Sequence, residues 1–405
     1  MKFIHTGDLH IGKIVNGFSM LEEQKRALDA IFTLAEETCA DAVLIAGDIY
    51  DRAIPPKEGV SLFDGFLGRC TEAGIPVLGI AGNHDSPERI SFAEVPLKRQ
   101  GIYLEGVLKG SPTAVCFSDE WGTVTVHLLP FAGPAGMKAV FGDGESDAEG
   151  FSEGVQNAVK RMQVSDGERH ILVTHHFVGD GEWQPEVCDS ESRTAVGGAD
   201  LVDASLFDAF DYTALGHLHR AQKVGERPIY YSGSPVKYSF SEANQRKSVY
   251  LVELREKGNL TMERRFLTPI HDMRIIRGPM MELMKPEVYT LPHEVRLPAG
   301  HELRDAPGYT LPHREDYICA VLTDEEELLD PAESLRAVYP NLMQLVLEKN
   351  LTGEGEGTFS GRTRERKSPE ELFAEFFREV TGREADEARL CAMREAIEWA
   401  EKEGL

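Results

Sequence analysis

Ala42-Val43-Leu44-Ile45-Ala46-Gly47-Asp48-Ile49-Tyr50-Asp51 is the stretch whose reading decides the architecture of this chain. Five apolar residues in a row read as a strand covered on both faces. Gly47 then suits a tight turn that presents Asp48. The layout recurs. Lys2-Phe3-Ile4-His5-Thr6 leads to Gly7-Asp8-Leu9-His10, and Ile75-Pro76-Val77-Leu78-Gly79-Ile80 leads to Gly82-Asn83-His84-Asp85. Tyr212-Thr213-Ala214-Leu215 leads to Gly216-His217-Leu218-His219, and Ile171-Leu172-Val173-Thr174 runs into His175-His176. Asp8 and His10, two apart past a strand, are expected to point to one side, as are His217 and His219. Each phrase alone is common. Carboxylate, amide and imidazole groups at the ends of successive buried strands converge where open α/β sheets place their sites.

Helical segments separate these strands. Residues 21–37 carry Leu28, Ile31, Phe32 and Ala35 on one face, and 59–70 is also helical. Tyr230-Tyr231-Ser232 and Val249-Tyr250-Leu251-Val252 add late strands, expected to be antiparallel. The alternation predicts a layered α/β domain over residues 1–268, with mixed sheets flanked by helices.

From residue 269 the pattern changes, and 269–350 reads as a small α+β capping domain. It begins with a strand at Met273-Arg274-Ile275-Ile276, followed by a proline-rich stretch from Pro279 to Pro312. A strand at 317–322, a helix begun by Asp330-Pro331 and a strand at Leu345-Val346-Leu347 complete it. Asp caps and Pro fits the first turn. Tyr289-Thr290-Leu291-Pro292-His293 recurs as Tyr309-Thr310-Leu311-Pro312-His313. This reads as a local duplication in a loop, in preference to a metal site at His293 and His313. Residues 351–367, rich in Gly and charge, read as a linker. Residues 368–405 begin with a capping box at Ser368-Pro369-Glu370-Glu371. Phe373, Phe376 and Phe377 follow at helical spacing, and a second helix starts near Asp386. Two short helices cannot bury those phenylalanines alone, so a docking element for another protein is preferred to a fold back onto the same chain.

Composition bounds the function. The chain has 405 residues, 41% hydrophobic and 27% charged, which is an ordinary soluble globular balance with room for two or three domains. No apolar run approaches the ~18 residues of a membrane span, and no secretory signal is visible, so a cytoplasmic protein without a membrane partner is expected. The six cysteines are dispersed, with no Cys-x-x-Cys, and read as reduced thiols. A net charge of −25 argues against a generic nucleic-acid binder. Divalent cations invert the local field at a phosphate site, so any grip on nucleic acid is expected to be local or shared with a partner.

The four Gly-led phrases and His175-His176, in this order and after strands, resemble the calcineurin-like metallophosphoesterases. The resemblance implies hydrolysis of a phosphate ester by two divalent ions ~3.5–4 Å apart. It implies Asp8, His10, Asp48 and His219 around one ion, and Asp48, Asn83, His217 and a histidine of the 175/176 pair around the other. Asp48 is the shared carboxylate. His175 is chosen, with His176 as the alternative register. His84 matches the general acid and Asp51 the carboxylate that orients it. Mixed Asp, Asn and His ligands allow Mn²⁺, Fe²⁺ or Zn²⁺, and the resemblance favours Mn²⁺. His5, His127 and His170 read as structural.

Longer stretches narrow the family. Asp211-Tyr212-Thr213-Ala214-Leu215-Gly216-His217-Leu218-His219-Arg220-Ala221-Gln222 and the run from Tyr231 to Ala243 resemble the SbcD nuclease subunits, bacterial relatives of the meiotic-recombination nuclease. So do Leu322-Thr323-Asp324 and Tyr339-Pro340-Asn341. The resemblance implies a homodimer associated with the coiled-coil ATPase SbcC in a heterotetramer that acts on DNA. It implies ATP-dependent 3′→5′ exonuclease action on duplex ends and endonuclease action on single strands and hairpins. Arg220 and Lys237 are candidate phosphate contacts. Two rivals stand beside this reading. One is a phosphoesterase for phosphoproteins or cyclic nucleotides, because Gly47-Asp48-Ile49-Tyr50-Asp51-Arg52-Ala53 is one glycine short of Gly-Asp-x-x-Asp-Arg-Gly. The other is a non-catalytic scaffold for DNA ends.

Overall fold

The computed structural model describes residues 1–142, 151–181, 183, 185–191, 201–285, 313–326 and 328–348. The described residues all belong to one compact unit. Phe373, Phe376 and Phe377, the linker and most of the duplicated segment lie outside the described residues.

Two six-stranded sheets stack face to face. The first runs Leu260–Phe266, Ser248–Leu254, Lys2–Thr6, Ala42–Ile45, Val77–Ile80, Ile102–Glu105 in spatial order. Its last four strands are parallel, and its first two are antiparallel additions. The second runs Gln222–Lys223, Ile229–Tyr231, Tyr212–Leu215, Arg169–Thr174, Gly122–Leu129, Thr113–Asp119. Four of these are parallel to their neighbours, with an antiparallel strand at each edge. The strand at 229–231 is therefore parallel to 212–215, against the expectation. The seven-residue hairpin register at 113–129 went unread in the sequence.

Alternation explains the stacking. Phe3, Leu44 and Leu78 of the first sheet meet Val126, Ile171 and Ala214 of the second in an apolar layer between them. Ile4, Val43 and Val77 point the other way, beneath the helices Leu21–Thr38 and Lys57–Glu72. Leu129, Leu172 and Leu215 do the same beneath Pro134–Phe141 and Phe151–Arg161. The uninterrupted apolar runs are thus strands sandwiched on both faces. Each large aliphatic side chain lost from such a layer costs about 2–5 kcal/mol.

A third sheet, Met273–Gly278, Tyr317–Leu322 and Leu342–Leu347, is all parallel. One face closes over Leu335 and Tyr339. The other, through Met273, Tyr317, Cys319 and Val321, joins the core under Leu21–Thr38. Buried Glu23 of that helix accepts the N–H groups of Ile270 and His271 at 2.8 and 2.9 Å and ties the chain down where the third sheet begins. The helix after Asp330 starts with Pro331 as expected. Asp330 itself takes a left-handed backbone (φ 44°) and makes no side-chain capping bond. The described cysteines are all free thiols. Among the described residues no helix is long and apolar enough to cross a membrane.

Candidate metal centre

The five loops that carry the candidate ligands leave the carboxyl ends of five parallel strands, three in the first sheet and two in the second. Stacking the sheets brings those ends together. The loops after Thr6 and Ile45 continue side by side past their strands. His10 N–H donates to the Asp48 carbonyl at 2.9 Å and Ile11 N–H to that of Ile49 at 2.9 Å.

Four of the candidate positions are not extended. Asp8, His10, Asp48 and His217 all have positive φ, at 51°, 42°, 49° and 91°. For residues other than glycine this conformation is sparsely populated and clusters at functional sites. This backbone is not that of a strand, so strand alternation does not describe how these side chains are turned. Two glycines permit close approach. A Cβ at Gly82 would lie 2.1 Å from Asp48 Oδ1, and one at Gly216 would lie 1.9 Å from the Ala46 carbonyl oxygen.

The side chains converge. His10 Nε2 and His219 Nε2 are 3.0 Å apart, and His10 Nε2 lies 3.6 Å from Asp48 Oδ2. His175 Nε2 is 3.3 Å from Asp48 Oδ2 and 3.1 Å from Asn83 Oδ1, and His217 Nδ1 is 3.1 Å from the same Asn83 oxygen. Three triads fall within cation-binding range: Asp8–His10–His219, His10–Asp48–His84 and Asp8–Asp48–His175. His176 turns elsewhere, to Thr174 Oγ1 at 2.8 Å and the ring of Phe131.

Electrostatics mark the centre. Asp8 and His10 are buried, and Asp8 Oδ2 and His10 Nδ1 find no hydrogen-bond partner among the described residues. Burial, with Asp48 adding to it, pushes the Asp8 carboxyl well above the usual range. Burial likewise holds His10 well below the usual imidazole value and His217 down to about 3. At His175 burial opposes charge, but Asp48 and Asp8 outweigh it and raise the ring to about 9. Orphaned buried oxygens and lone-pair nitrogens aimed at one another are expensive unless cations sit among them. The donor set therefore fits divalent ions, which this fold carries.

The surroundings support these groups in ways the sequence did not announce. His219 Nδ1 donates to Ser190 Oγ at 2.7 Å, and Ser190 in turn donates to buried Glu242 at 2.6 Å. Nε2 of His219 is thereby left as the lone-pair nitrogen. Glu191 accepts His219 N–H at 2.6 Å. Asp85 accepts the N–H groups of Ile49, Tyr50 and Gly82 at 3.0, 2.8 and 3.0 Å, and so staples the Asp48 loop to the Asn83 loop. The only sequence signal for that was its place after Gly82-Asn83-His84.

His84 is half-buried at the rim. Its N–H donates to Asp48 Oδ1 at 2.9 Å and its Nδ1 donates to Asp51 across 3.0 Å, with the Asp51 main-chain carbonyl as acceptor. This corrects the expectation that the Asp51 carboxylate orients His84. That carboxylate instead binds Lys13 Nζ at 2.6 Å and faces His10 Nδ1 at 3.6 Å. Lys237 is also corrected as an open phosphate contact. It is buried, with Nζ on Asp272 at 2.7 Å and on the Ala243 carbonyl at 2.6 Å, and it braces the junction to the third sheet. Burial in that position lowers its pKa. Arg220 is exposed and paired with Glu186.

The chain is similar to known proteins over both of its described parts. Residues 1–221 match the calcineurin-like phosphoesterase family, and the chain belongs to that family. Residues 269–381 match the type 5 capsule protein repressor C-terminal domain. Over 94% of its length the chain is 27% identical to the SbcD subunit of nuclease SbcCD from Staphylococcus epidermidis, covering 94% of that protein, which bears out the resemblance to SbcD subunits. Among solved structures, a dimetal phosphatase from Danio rerio aligns with 66% of this chain and 97% of its own at 12% identity and a TM-score of 0.42. The calcineurin-like phosphoesterase YfkN from Bacillus subtilis aligns with 66% of this chain and 90% of its own at 13% identity and a TM-score of 0.35.

Proposed function

We propose that this chain is a metal-dependent phosphodiesterase that cleaves DNA, acting as the nuclease subunit of an SbcCD-type assembly. The observation that carries the reading is the inward convergence of Asp8, His10, Asp48, Asn83, His175, His217 and His219, in a chain similar over nearly its full length to a nuclease subunit. Two divalent ions, Mn²⁺ by preference, would supply charge neutralisation of the scissile phosphate and an activated water. Asp8, His10, Asp48 and His219 would hold one, and Asp48, Asn83, His217 and His175 the other.

The chain's own groups do the rest. Ala46, Ser190 and Glu242 set the tautomers of His175 and His219. His84, with Nδ1 committed to the Asp51 carbonyl, keeps Nε2 for proton exchange with the leaving 3′ oxygen. The finer activity is read as 3′→5′ exonuclease on duplex ends and endonuclease on hairpins and single strands, driven by ATP through SbcC. Residues 269–350 would cap the site and 368–405 would grip the coiled coil. A cytoplasmic homodimer in a heterotetramer, serving DNA break repair and recombination, completes the proposal.

The test is cleavage of a 3′-labelled duplex and a hairpin by the purified chain in Mn²⁺, with Asp48→Ala as control. Metal-dependent cutting lost in Asp48→Ala is expected. Failure to cut either DNA, with and without the ATPase partner, while a generic phosphodiester is hydrolysed, overturns the DNA reading in favour of another phosphoesterase.

A further inference from the structure

His10 differs from His175 and His219 in how its outer ring nitrogen is held. A histidine that ligates a cation through one nitrogen commits its other N–H to an acceptor, and that bond fixes the orientation of the ring. His175 commits Nδ1 to the Ala46 carbonyl at 2.7 Å, and His219 commits Nδ1 to Ser190 Oγ at 2.7 Å. His10 points Nε2 at the centre, 3.0 Å from His219 Nε2 and 3.6 Å from Asp48 Oδ2. Its Nδ1 makes no hydrogen bond among the described residues, although the ring is buried.

A carboxylate faces that nitrogen. Asp51 Oδ1 lies 3.6 Å from His10 Nδ1, too far for a hydrogen bond but within ~1 Å of making one. The backbone sets this pairing: Asp51 N–H donates to the Ile11 carbonyl at 3.3 Å, so the Asp48 loop returns to the His10 loop one residue past His10. The same Oδ1 accepts from Lys13 Nζ at 2.6 Å. Lys13 in turn lies over the ring of Tyr238, 5.5 Å from its centre, and that ring packs edge-on against His10 with centroids 5.6 Å apart. The side chains of Lys13 and Asp51 are 15% and 13% exposed, so little water competes for the carboxylate.

We propose that the Asp51 carboxylate is the positioning residue of His10. With a cation on Nε2 the ring proton resides on Nδ1, and Asp51 Oδ1 accepts that N–H while Lys13 anchors the carboxylate. Asp51 thereby serves two imidazoles. Its main-chain carbonyl takes His84 Nδ1 at 3.0 Å, and its side chain takes His10. The role rests on the metal centre assigned above, and not on the identity of the substrate.

The test reads the site without turnover. In the full chain loaded with diamagnetic Zn²⁺ and labelled at its histidine nitrogens, NMR should show an exchange-protected Nδ1–H that disappears in His10→Gln and in Asp51→Ala. Calorimetric titration of Asp51→Ala with Mn²⁺ should show one site weakened about 10–100-fold and the other within a few-fold of the parent. Asp51→Asn, which keeps an oxygen to accept the N–H, should weaken that site less than Asp51→Ala does. Thermal midpoints in chelator confirm that each variant is folded. Both substitutions leave the Asp51 carbonyl on His84. At saturating Mn²⁺, the ratio of DNA cleavage to bis(p-nitrophenyl) phosphate hydrolysis should therefore keep the parent's value in Asp51→Ala. Unchanged Mn²⁺ affinity, or an Nδ1–H signal that persists, in folded Asp51→Ala overturns the proposal. A loss confined to DNA, with bis(p-nitrophenyl) phosphate spared, also overturns it and returns the carboxylate to His84. If Mn²⁺ binding depends on Asp51 but the parent cuts no DNA, the positioning role stands and the DNA function above falls.

Discussion

His175 donates from Nδ1 to the carbonyl of Ala46 across 2.7 Å. That bond decides which of its nitrogens faces the centre. A carbonyl only accepts, so Nδ1 keeps its proton whatever the charge of the ring, and Nε2, 3.3 Å from Asp48, is the nitrogen that would give up its proton to a cation. The neighbouring His176 spends its Nδ1 on the Thr174 hydroxyl and has no such aim. Two adjacent, buried histidines are thus separated by the partners of their Nδ1 atoms, a main-chain carbonyl for one and a side-chain hydroxyl for the other.

His175→Ala is therefore expected to reduce metal affinity by more than the ~10–100-fold that losing a mere supporting partner costs. His176→Ala should lower stability by about 1–3 kcal/mol through the orphaned Thr174 and leave metal affinity within a few-fold. Calorimetric titration with Mn²⁺ checks both. The reverse ranking would put the ligand at 176.

His84→Gln should keep Mn²⁺ binding while slowing DNA cleavage by about 10²–10⁴-fold, the usual worth of a positioned acid. Hydrolysis of bis(p-nitrophenyl) phosphate should fall much less, because p-nitrophenolate leaves without a proton. Equal losses on the two substrates would argue that His84 only shapes the site.

Asp85→Ala removes the acceptor shared by the Ile49, Tyr50 and Gly82 N–H groups. Leaving them buried and unpaired should cost about 1–3 kcal/mol for each that water does not reach. The loops bearing Asp48 and Asn83 should also loosen, so metal affinity falls together with the denaturant midpoint. A variant as stable as the parent would remove the stapling role.

Divalent ions should raise the thermal midpoint. A ligand present at 100 times its Kd adds about 2.7 kcal/mol to a state that alone binds it. Mn²⁺ should deliver a rise of that order in the parent chain and little in Asp48→Ala. Differential scanning calorimetry with and without chelator checks this, and identical shifts in both proteins would count against the centre.

Arg169, buried at the start of its strand, binds the carboxylate of Asp119 with both terminal nitrogens. That hydrogen bonding holds Asp119 below the ordinary carboxylate range. A depressed folded value means stability that is fully present above the unfolded pKa of ~3.9 and lost as pH falls below it. Asp119→Asn should flatten the fall of the urea midpoint as pH drops through that window. Arg169→Met, which leaves the partly exposed carboxylate with the Met1 ammonium alone, should destabilise at neutral pH by about 1–3 kcal/mol. A midpoint with the same pH dependence in Asp119→Asn would show the pair to be silent.

The layered α/β class, most of the strands that build it and the residue types at their ends were legible along the chain. Runs such as Ala42 to Ala46 bury both faces, and glycine before Asp48 and His217 marks where the backbone must turn. These are local properties, written in hydrophobic periodicity and backbone sterics. What local pattern could not carry was distance across the fold. The choice of His175 over His176 depends on Ala46, 129 residues away. The Asp51 carboxylate goes to Lys13 because the two loops run side by side. Lys237 is buried because the third sheet closes over it and supplies Asp272. Side chains far apart in sequence find one another only after both sheets have stacked, and tertiary packing alone sets the partners that fix their tautomers and charges.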